Sequence, residues 1–189
     1  GESQLQVLET HCGDARAAAG LLPSPNVASY TAVDFSEGMM AVAKANLGAE
    51  AKTVVADSTK LPFSDGSFDR YICNLGLCCT ADLSASLTEA CRVLTPGGIA
   101  AMSMRIEGGD GDTSMKLIND TLKPFGMGPG PDREGVQIGK DLVALRTRVH
   151  DAGFASAVAW RTCATLPIHD VPTFMQCVLQ AFVASMLAR

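Results

Sequence analysis

Short apolar runs, each closed by an acidic residue, recur along the first third of the chain. Leu5-Gln-Val-Leu8 ends at Glu9, Tyr30-Thr-Ala-Val33 at Asp34, and Thr53-Val-Val-Ala56 at Asp57. Runs of this length bounded by turn formers predict buried strands. Between them the period changes. Arg16 to Leu22 is Ala-rich and helix-prone until Pro23 and Pro25 stop it. Ser36 suits the N-cap of a helix carrying Met39, Met40, Val42, Ala43 and Leu47 at helical spacing. After a loop at Leu61-Pro-Phe63 and Asp65-Gly66, Phe68 to Cys73 predicts a fourth strand. Leu83 to Leu94 predicts an amphipathic helix ended by Pro96-Gly97-Gly98, and Ile99 to Met104 a fifth strand. Asp141 to Ala152 is a further helix, with Gly153 fitting the position after its end. Ala157 to Leu166 reads as one or two edge strands.

This alternation predicts an α/β fold: a doubly wound, mostly parallel sheet with helices on both faces and right-handed crossovers. The rhythm breaks at residues 106–140, rich in Gly, Pro and Asp around one short helical stretch from Ser114 to Leu122. Such a segment after the last parallel strand reads as a substrate-side insertion. From Val171 to Ala188 the chain carries no charge, long enough for a membrane-span candidate. Pro172, Thr173, Gln176, Gln180 and Ser185 dilute it, which favours a buried or partner-facing helix. No internal repeat is present.

Composition narrows the class. The 189 residues carry 15 basic and 20 acidic side chains, a formal charge of −5, with 47% hydrophobic residues. That length supports one domain, and the negative balance argues against nucleic acid, which needs a basic stripe. Seven cysteines, an odd number, with Cys78 and Cys79 adjacent and no secretory signal at the front, read as reduced intracellular thiols of unspecified compartment. Cys73, Cys78 and Cys79 lack the paired spacing of a zinc site. Asp110 and Asp112 lack the later ligands of a calcium loop, so no metal is expected.

Ligands of open parallel sheets bind at the carboxyl ends of the strands, and three features fall there. Glu9-Thr-His-Cys-Gly13-Asp-Ala15 is a strand-to-helix turn whose small residues let backbone approach a ligand. Asp34 lies about 20 residues beyond Gly13, the spacing at which a strand-tip carboxylate accepts from a ribose diol. Asp57-Ser58 closes the third strand, where a side-chain oxygen can accept from an adenine amino group. Together they favour a nucleoside-containing cofactor.

These residues resemble the class I S-adenosylmethionine-dependent methyltransferases, in particular the ubiquinone/menaquinone-biosynthesis branch. Val7-Leu-Glu-Thr-His-Cys-Gly13 is similar to that family's first motif, and Ala32-Val-Asp34-Phe-Ser36-Glu-Gly-Met39-Met40 to its ribose-binding segment. Ala56-Asp57-Ser58 with Leu61-Pro-Phe63-Ser-Asp-Gly-Ser-Phe68-Asp69 is similar to its adenine segment and following strand. Arg92-Val-Leu94-Thr-Pro96-Gly97-Gly98 is similar to the turn before strand five. The likeness spans residues 5–105, and Asp141–Phe154 more loosely.

The resemblance implies a Rossmann-like fold with a seven-stranded sheet and S-adenosylmethionine as cofactor. It implies Glu9, Thr10, and the Cys12-Gly13 backbone around the methionine part, and Asp34 on the ribose, with Phe35, Ser36 and Met39 flanking ribose and adenine. Asp57 and Ser58 would meet the adenine edge, and Asn74, Leu75 and Gly76 would lie beside the sulfonium and the acceptor. Asp69 and Gly97-Gly98 are expected to shape turns.

Two departures stand out. The motif's three glycines fall at His11, Gly13 and Ala15, and glycine is favoured where backbone meets a ligand or takes positive φ. His11 either hydrogen-bonds the cofactor carboxylate or is tolerated in a rebuilt turn. The front is also short, so the helices that cover the cofactor in relatives are expected to be missing from this chain.

Methyl transfer from a sulfonium is an in-line displacement that asks mainly for positioning. Of the three histidines, His150 falls late in a helix and His169 in a loop, and no catalytic base is named. The leading expectation is methyl transfer to a small-molecule or lipid-like acceptor. The alternative is a catalytically inactive methyltransferase-like subunit with a structural or assembly role. A nicotinamide-dependent enzyme would need a G-x-G-x-x-G turn that is absent. The uncharged C-terminal helix could serve a protein partner or a homodimer.

Overall fold

The computed structural model describes residues 4–16, 18, 21–22, 24–48, 51–106, 120, 123–125, 134–162 and 170. Five strands lie in one sheet: β1 (Leu5–Thr10), β2 (Val27–Asp34), β3 (Lys52–Val55), β4 (Phe68–Cys73) and β5 (Leu94–Met102). Their order is β3-β2-β1-β4-β5 and every pairing is parallel. The winding reverses at β1. A crevice therefore opens between the carboxyl ends of β1 and β4, where the connections leave in opposite directions.

β1 is central, so its neighbours in sequence are buried on opposite faces. Val7 joins Tyr30, Ala32, Met40, Ala43 and Leu47 on one side. Leu8 joins Val33, Phe68, Tyr71, Leu83, Leu87, Ala90 and Val93 on the other. Helix α1 (Glu37–Leu47) covers the first face, and its cap is Ser36, whose Oγ accepts from Met39 N at 3.3 Å. Helix α2 (Leu83–Val93) covers the second, capped by Asp82 on Ala85 N at 2.9 Å. Each fully buried leucine of that face contributes about 1.5–3 kcal/mol. Short α3 (Glu134–Ile138) and α4 (Leu142–Asp151) follow, the latter capped by Asp141 on Val143 N and Ala144 N. Arg148 Nη1 fastens α4 to the rest, 2.7 Å from both Glu134 Oε1 and Ser84 Oγ.

One guanidinium explains two of the sequence motifs. Arg92 donates to the carbonyls of Leu61 and Phe63 and to Asp65 and Glu89, so it cages the loop that precedes β4. Glu89 also accepts from Leu61 N at 2.6 Å. Asp69, expected to shape a turn, lies within β4 and ties strands instead: its two oxygens accept from Gln6 N and Thr95 Oγ1, joining β4 to the start of β1 and to β5.

The structure departs from the sequence reading in three places. β5 begins at Leu94, directly after α2, and not at Ile99, and it ends at Met102. Its register slips between Phe68↔Leu94 and Arg70↔Ile99, a bulge that holds Pro96-Gly97-Gly98. Proline has no N–H to give a ladder, and a bulge needs none from it. Arg16 to Leu22 shows 3₁₀ geometry at Arg16 and Ala18 and a turn at Leu21-Leu22, and no α-helix among its described residues. The window before Pro23 is too short to repay helix nucleation. Residues 157–162 form no strand, so the described sheet has five strands and not seven. The remainder of that edge-strand expectation, the helix at Ser114–Leu122 apart from Asp120, the Asp110–Asp112 pair, His169 and Val171–Ala188 lie outside the described residues. Among the described residues no helix is long and apolar enough to cross a membrane.

Candidate functional site

The turn after β1 takes the left-handed conformation three times. His11 has φ 52°, Gly13 φ 55° and Ala15 φ 57°. Two of the three are not glycine, at a cost of about 1–2 kcal/mol each. Burial and bonding hold them there: Ala15 is inside the core and its N–H bonds to Cys12 O at 2.8 Å. Cys12 N in turn bonds to Val33 O at 3.1 Å. The backbone shape that three glycines would give is thus present with one glycine.

This turn meets the tip of β2 through Asp34. Gly13 N donates to Oδ2 and Ser36 N donates to Oδ1, each at 3.0 Å. The carboxylate is fixed in orientation, and each oxygen keeps a lone pair for another donor. Phe35 stands beside it 65% exposed, and Met39 is half-buried on the first turn of α1.

His11 accounts for its own presence. Its Nε2 lies 3.4 Å from Ser58 Oγ after β3, and its Nδ1 3.5 Å from Cys73 Sγ at the end of β4. Gly76 passes directly against it: a Cβ at that position would stand 2.5 Å from His11 Cβ and 2.6 Å from Cys73 Sγ. One imidazole therefore joins three strand tips, and only glycine fits across it. Burial holds its pKa below the usual histidine range, against the pull of Asp34 and Asp57. Ser58 Oγ continues to Ser86 Oγ at 2.9 Å, and Ser86 to Thr80 Oγ1 at 2.7 Å, a chain of buried hydroxyls leading to the start of α2.

The other expected residues divide. Glu9 and Thr10 are buried, and their side chains are satisfied inside the sheet: Tyr30 OH donates to Glu9 Oε2, and Thr10 Oγ1 pairs with Tyr71 OH at 2.7 Å. Burial raises the Glu9 pKa, the Tyr30 bond opposes this, and Asp14 adds to it. Cys12 Sγ rests 3.6 Å from Met40 Sδ, and burial pushes its thiol up to about 12. Asp57 is exposed and turns its Oδ1 to Thr59 N and Oγ1, both at 2.8 Å. Asn74 and Leu75 are exposed, and Ser103 Oγ links them: it donates to Asn74 Oδ1 and accepts from Leu75 N, both at 2.8 Å. Leu75 holds φ 54°.

The fold thus gathers His11, Cys12, Gly13, Asp34, Ser36, Ser58 and Gly76 around one crevice. Sequence reading missed Tyr30, Tyr71, Thr80, Ser86 and Ser103. Ser86 alone carried a signal, as a polar residue at helical spacing between Leu83 and Ala90 on a buried face. A cavity of about 470 Å³ lined by Gln6, Ser29, Thr31, Lys52 and Phe63 lies at the amino ends of β1–β3, away from these tips. Among the described residues no three His, Cys, Asp or Glu side chains gather as a metal cluster.

Residues 8–102 match the family model described as a methyltransferase domain. A demethylmenaquinone methyltransferase of Mycolicibacterium gilvum (strain PYR-GCK) is 33% identical over 140 residues, covering 69% of this chain and 60% of that protein. A ubiquinone/menaquinone biosynthesis C-methyltransferase of Rickettsia massiliae (strain Mtu5) is 41% identical over 78 residues, 39% of this chain and 32% of that one. The chain spans less than two thirds of the length of either relative. Among solved structures, a complex of the Haloferax volcanii Trm112 methyltransferase activator with a methyltransferase matches with TM-score 0.62 and 21% identity. That match covers 80% of this chain and 62% of the other, and it shows the fold.

Proposed function

The chain belongs to the methyltransferase domain family, whose cofactor is S-adenosylmethionine, and from that premise we propose that it transfers a methyl group to a small-molecule or lipid-like acceptor of the quinone-ring type. The acceptor class follows the names of the relatives. The observation that carries the reading is Asp34, a strand-tip carboxylate locked by Gly13 N and Ser36 N with lone pairs to spare for a ribose diol.

On this reading the left-handed His11–Ala15 turn receives the methionine end through the Cys12-Gly13 main chain, and Glu9 and Thr10 hold that turn from inside the sheet. Phe35, Ser36 and Met39 flank ribose and adenine. Asp57 meets the adenine edge beside Ser58, whose hydroxyl also steadies His11. Asn74, Leu75 and Gly76 border the reacting centre and admit the acceptor. When bound, the cofactor supplies a methyl group on a sulfonium, a good leaving group. The protein's task is alignment, which is worth about 7–11 kcal/mol of barrier. No side chain is assigned as a base, because a base is needed only for an acceptor that arrives protonated and weakly acidic.

Calorimetry with S-adenosylmethionine and S-adenosylhomocysteine tests this. Binding is expected, with affinity falling at least about tenfold in Asp34→Ala, because hydrogen bonds to a charged group are worth about 1.5–3 kcal/mol. Asn74→Ala should change it less than about threefold, within the few tenths expected of an exposed site. Absence of heat at millimolar cofactor overturns the reading. A demethylated naphthoquinol should then gain one methyl by mass spectrometry. No gain with cofactor bound would remove the acceptor class and leave the cofactor assignment standing.

A further inference from the structure

The loop after β4 carries two adjacent thiols that the methyl-transfer reading does not use. Cys78 and Cys79 are in no disulfide, and their Sγ atoms stand 4.0 Å apart. A bond between them is geometrically poor. Disulfides favour Cα separations of about 4.4–6.8 Å, whereas neighbours joined by a trans peptide are fixed at about 3.8 Å, and the described chain has no cis peptide. A shared ligand is a better match. Two thiolates on one tetrahedral centre, each about 2.3 Å from it, lie roughly 3.8 Å apart. We propose that Cys78 and Cys79 form a dithiolate site for a soft metal or metalloid ion at the acceptor side of the crevice.

The surroundings suit that chemistry. The Cys78 thiol is pulled down to about 6, first by its hydrogen bond with Cys79 and, against its burial, by the main chain and charge of Arg105. The deprotonated sulfur is the form that ligates soft ions. Burial instead pushes Cys12 and Cys73 up to about 12, so the pair is the favoured target among these four. With two sulfurs and no third ligand cluster among the described residues, the remaining positions fall to solvent or to the ion's own substituent.

Occupancy also changes the loop. In its thiol form Cys78 Sγ donates to Leu75 O at 3.3 Å, a bond that a ligated thiolate cannot make. The left-handed turn at Leu75 would lose that hold, while Gly135, which packs against Leu77 O and Cys78 Cα, keeps the loop in place.

Phenylarsine oxide tests the site on the intact chain. Condensation of its As=O with two thiols forms two As–S bonds and releases one water, with no change of oxidation state. One adduct per chain is expected by intact mass, with Cys78 and Cys79 protected from alkylation and Cys91 still reactive. A dithiol should reverse it and a monothiol should not. Cys78→Ser and Cys79→Ser should each weaken it by about a hundredfold or more, since the second sulfur binds at high effective concentration. Zinc chloride is the second arm: protection by both reagents assigns the site to two-thiolate ions generally, and protection by the arsenical alone narrows it to metalloid centres. Protection by neither, or an adduct that survives in Cys79→Ser, overturns the proposal. The readout counts thiols, so its failure leaves the methyl-transfer reading untouched.

Discussion

On the β1–β2 side of the crevice Asp34 is gripped by two main-chain N–H groups, and Glu9 and Thr10 are closed off by Tyr30 and Tyr71. On the β4 side Asn74 and Leu75 stand in solvent and are held by Ser103 and by the Cys78 thiol, with Leu75 56% exposed. The first side has spent its conformational freedom in folding, so a ligand there need not order it. The second has not, which on the proposed reading suits the side that would admit the acceptor. His11 is where the two meet, because its ring touches the tips of both β3 and β4 while its backbone shapes the turn after β1.

The largest effect should come from breaking that meeting point. Gly76→Ala puts a methyl into the His11 ring and should destabilise the fold by about 1–3 kcal/mol, measured by urea unfolding. His11→Gly in the same chain should restore part of it, a coupling of about 0.5–3 kcal/mol. Strict additivity of the two changes would mean that His11 does not join the two sides.

A smaller effect separates the buried acid from the buried base. The His11 pKa is lowered from 6.5, so its contribution to stability is full above 6.5 and is lost as pH falls through the depressed value. The Glu9 pKa is raised from 4.5, so its contribution is full below 4.5 and is lost as pH rises through the elevated value. Melting curves between pH 7.5 and 4.5 should show His11→Asn losing less stability than the parent on acidification and Glu9→Gln losing more. Parallel curves for all three would sink both assignments.

The smallest effect belongs to the open side. Leu75→Gly removes a left-handed leucine whose side chain is mostly in solvent, and should stabilise by about 0.5–1 kcal/mol in the same urea assay. A loss of stability there would show that the β4 turn is packed more tightly than its exposure indicates.

Much of the scaffold was legible because it rests on local rules. Apolar runs closed by Glu9, Asp34 and Asp57 marked the strand ends within a residue or two, Ser36 announced α1, and Asp141 and Gly153 bracketed α4. Proline and glycine at 96–98 misled, because the same residues end a helix or sit in a bulge, and only pairing with Phe68 and Arg70 chose the bulge. The candidate site was legible as positions and illegible as contacts. Spacing put Asp34 opposite Gly13, yet nothing local said that Glu9 would bond Tyr30, or that Ser58 would reach Ser86 and Thr80.

The sequence by itself determined the order of the five strands and of α1, α2 and α4, the strand-tip acids and the negative charge, since these follow from period, capping and composition. Tertiary structure alone decided that a histidine could stand in a glycine turn. That outcome needs Ser58 from the end of β3 and Cys73 and Gly76 from the end of β4 to enclose one ring. Left-handed backbone costs His11 energy wherever it occurs, and only long-range packing supplies the burial and bonds that hold it there.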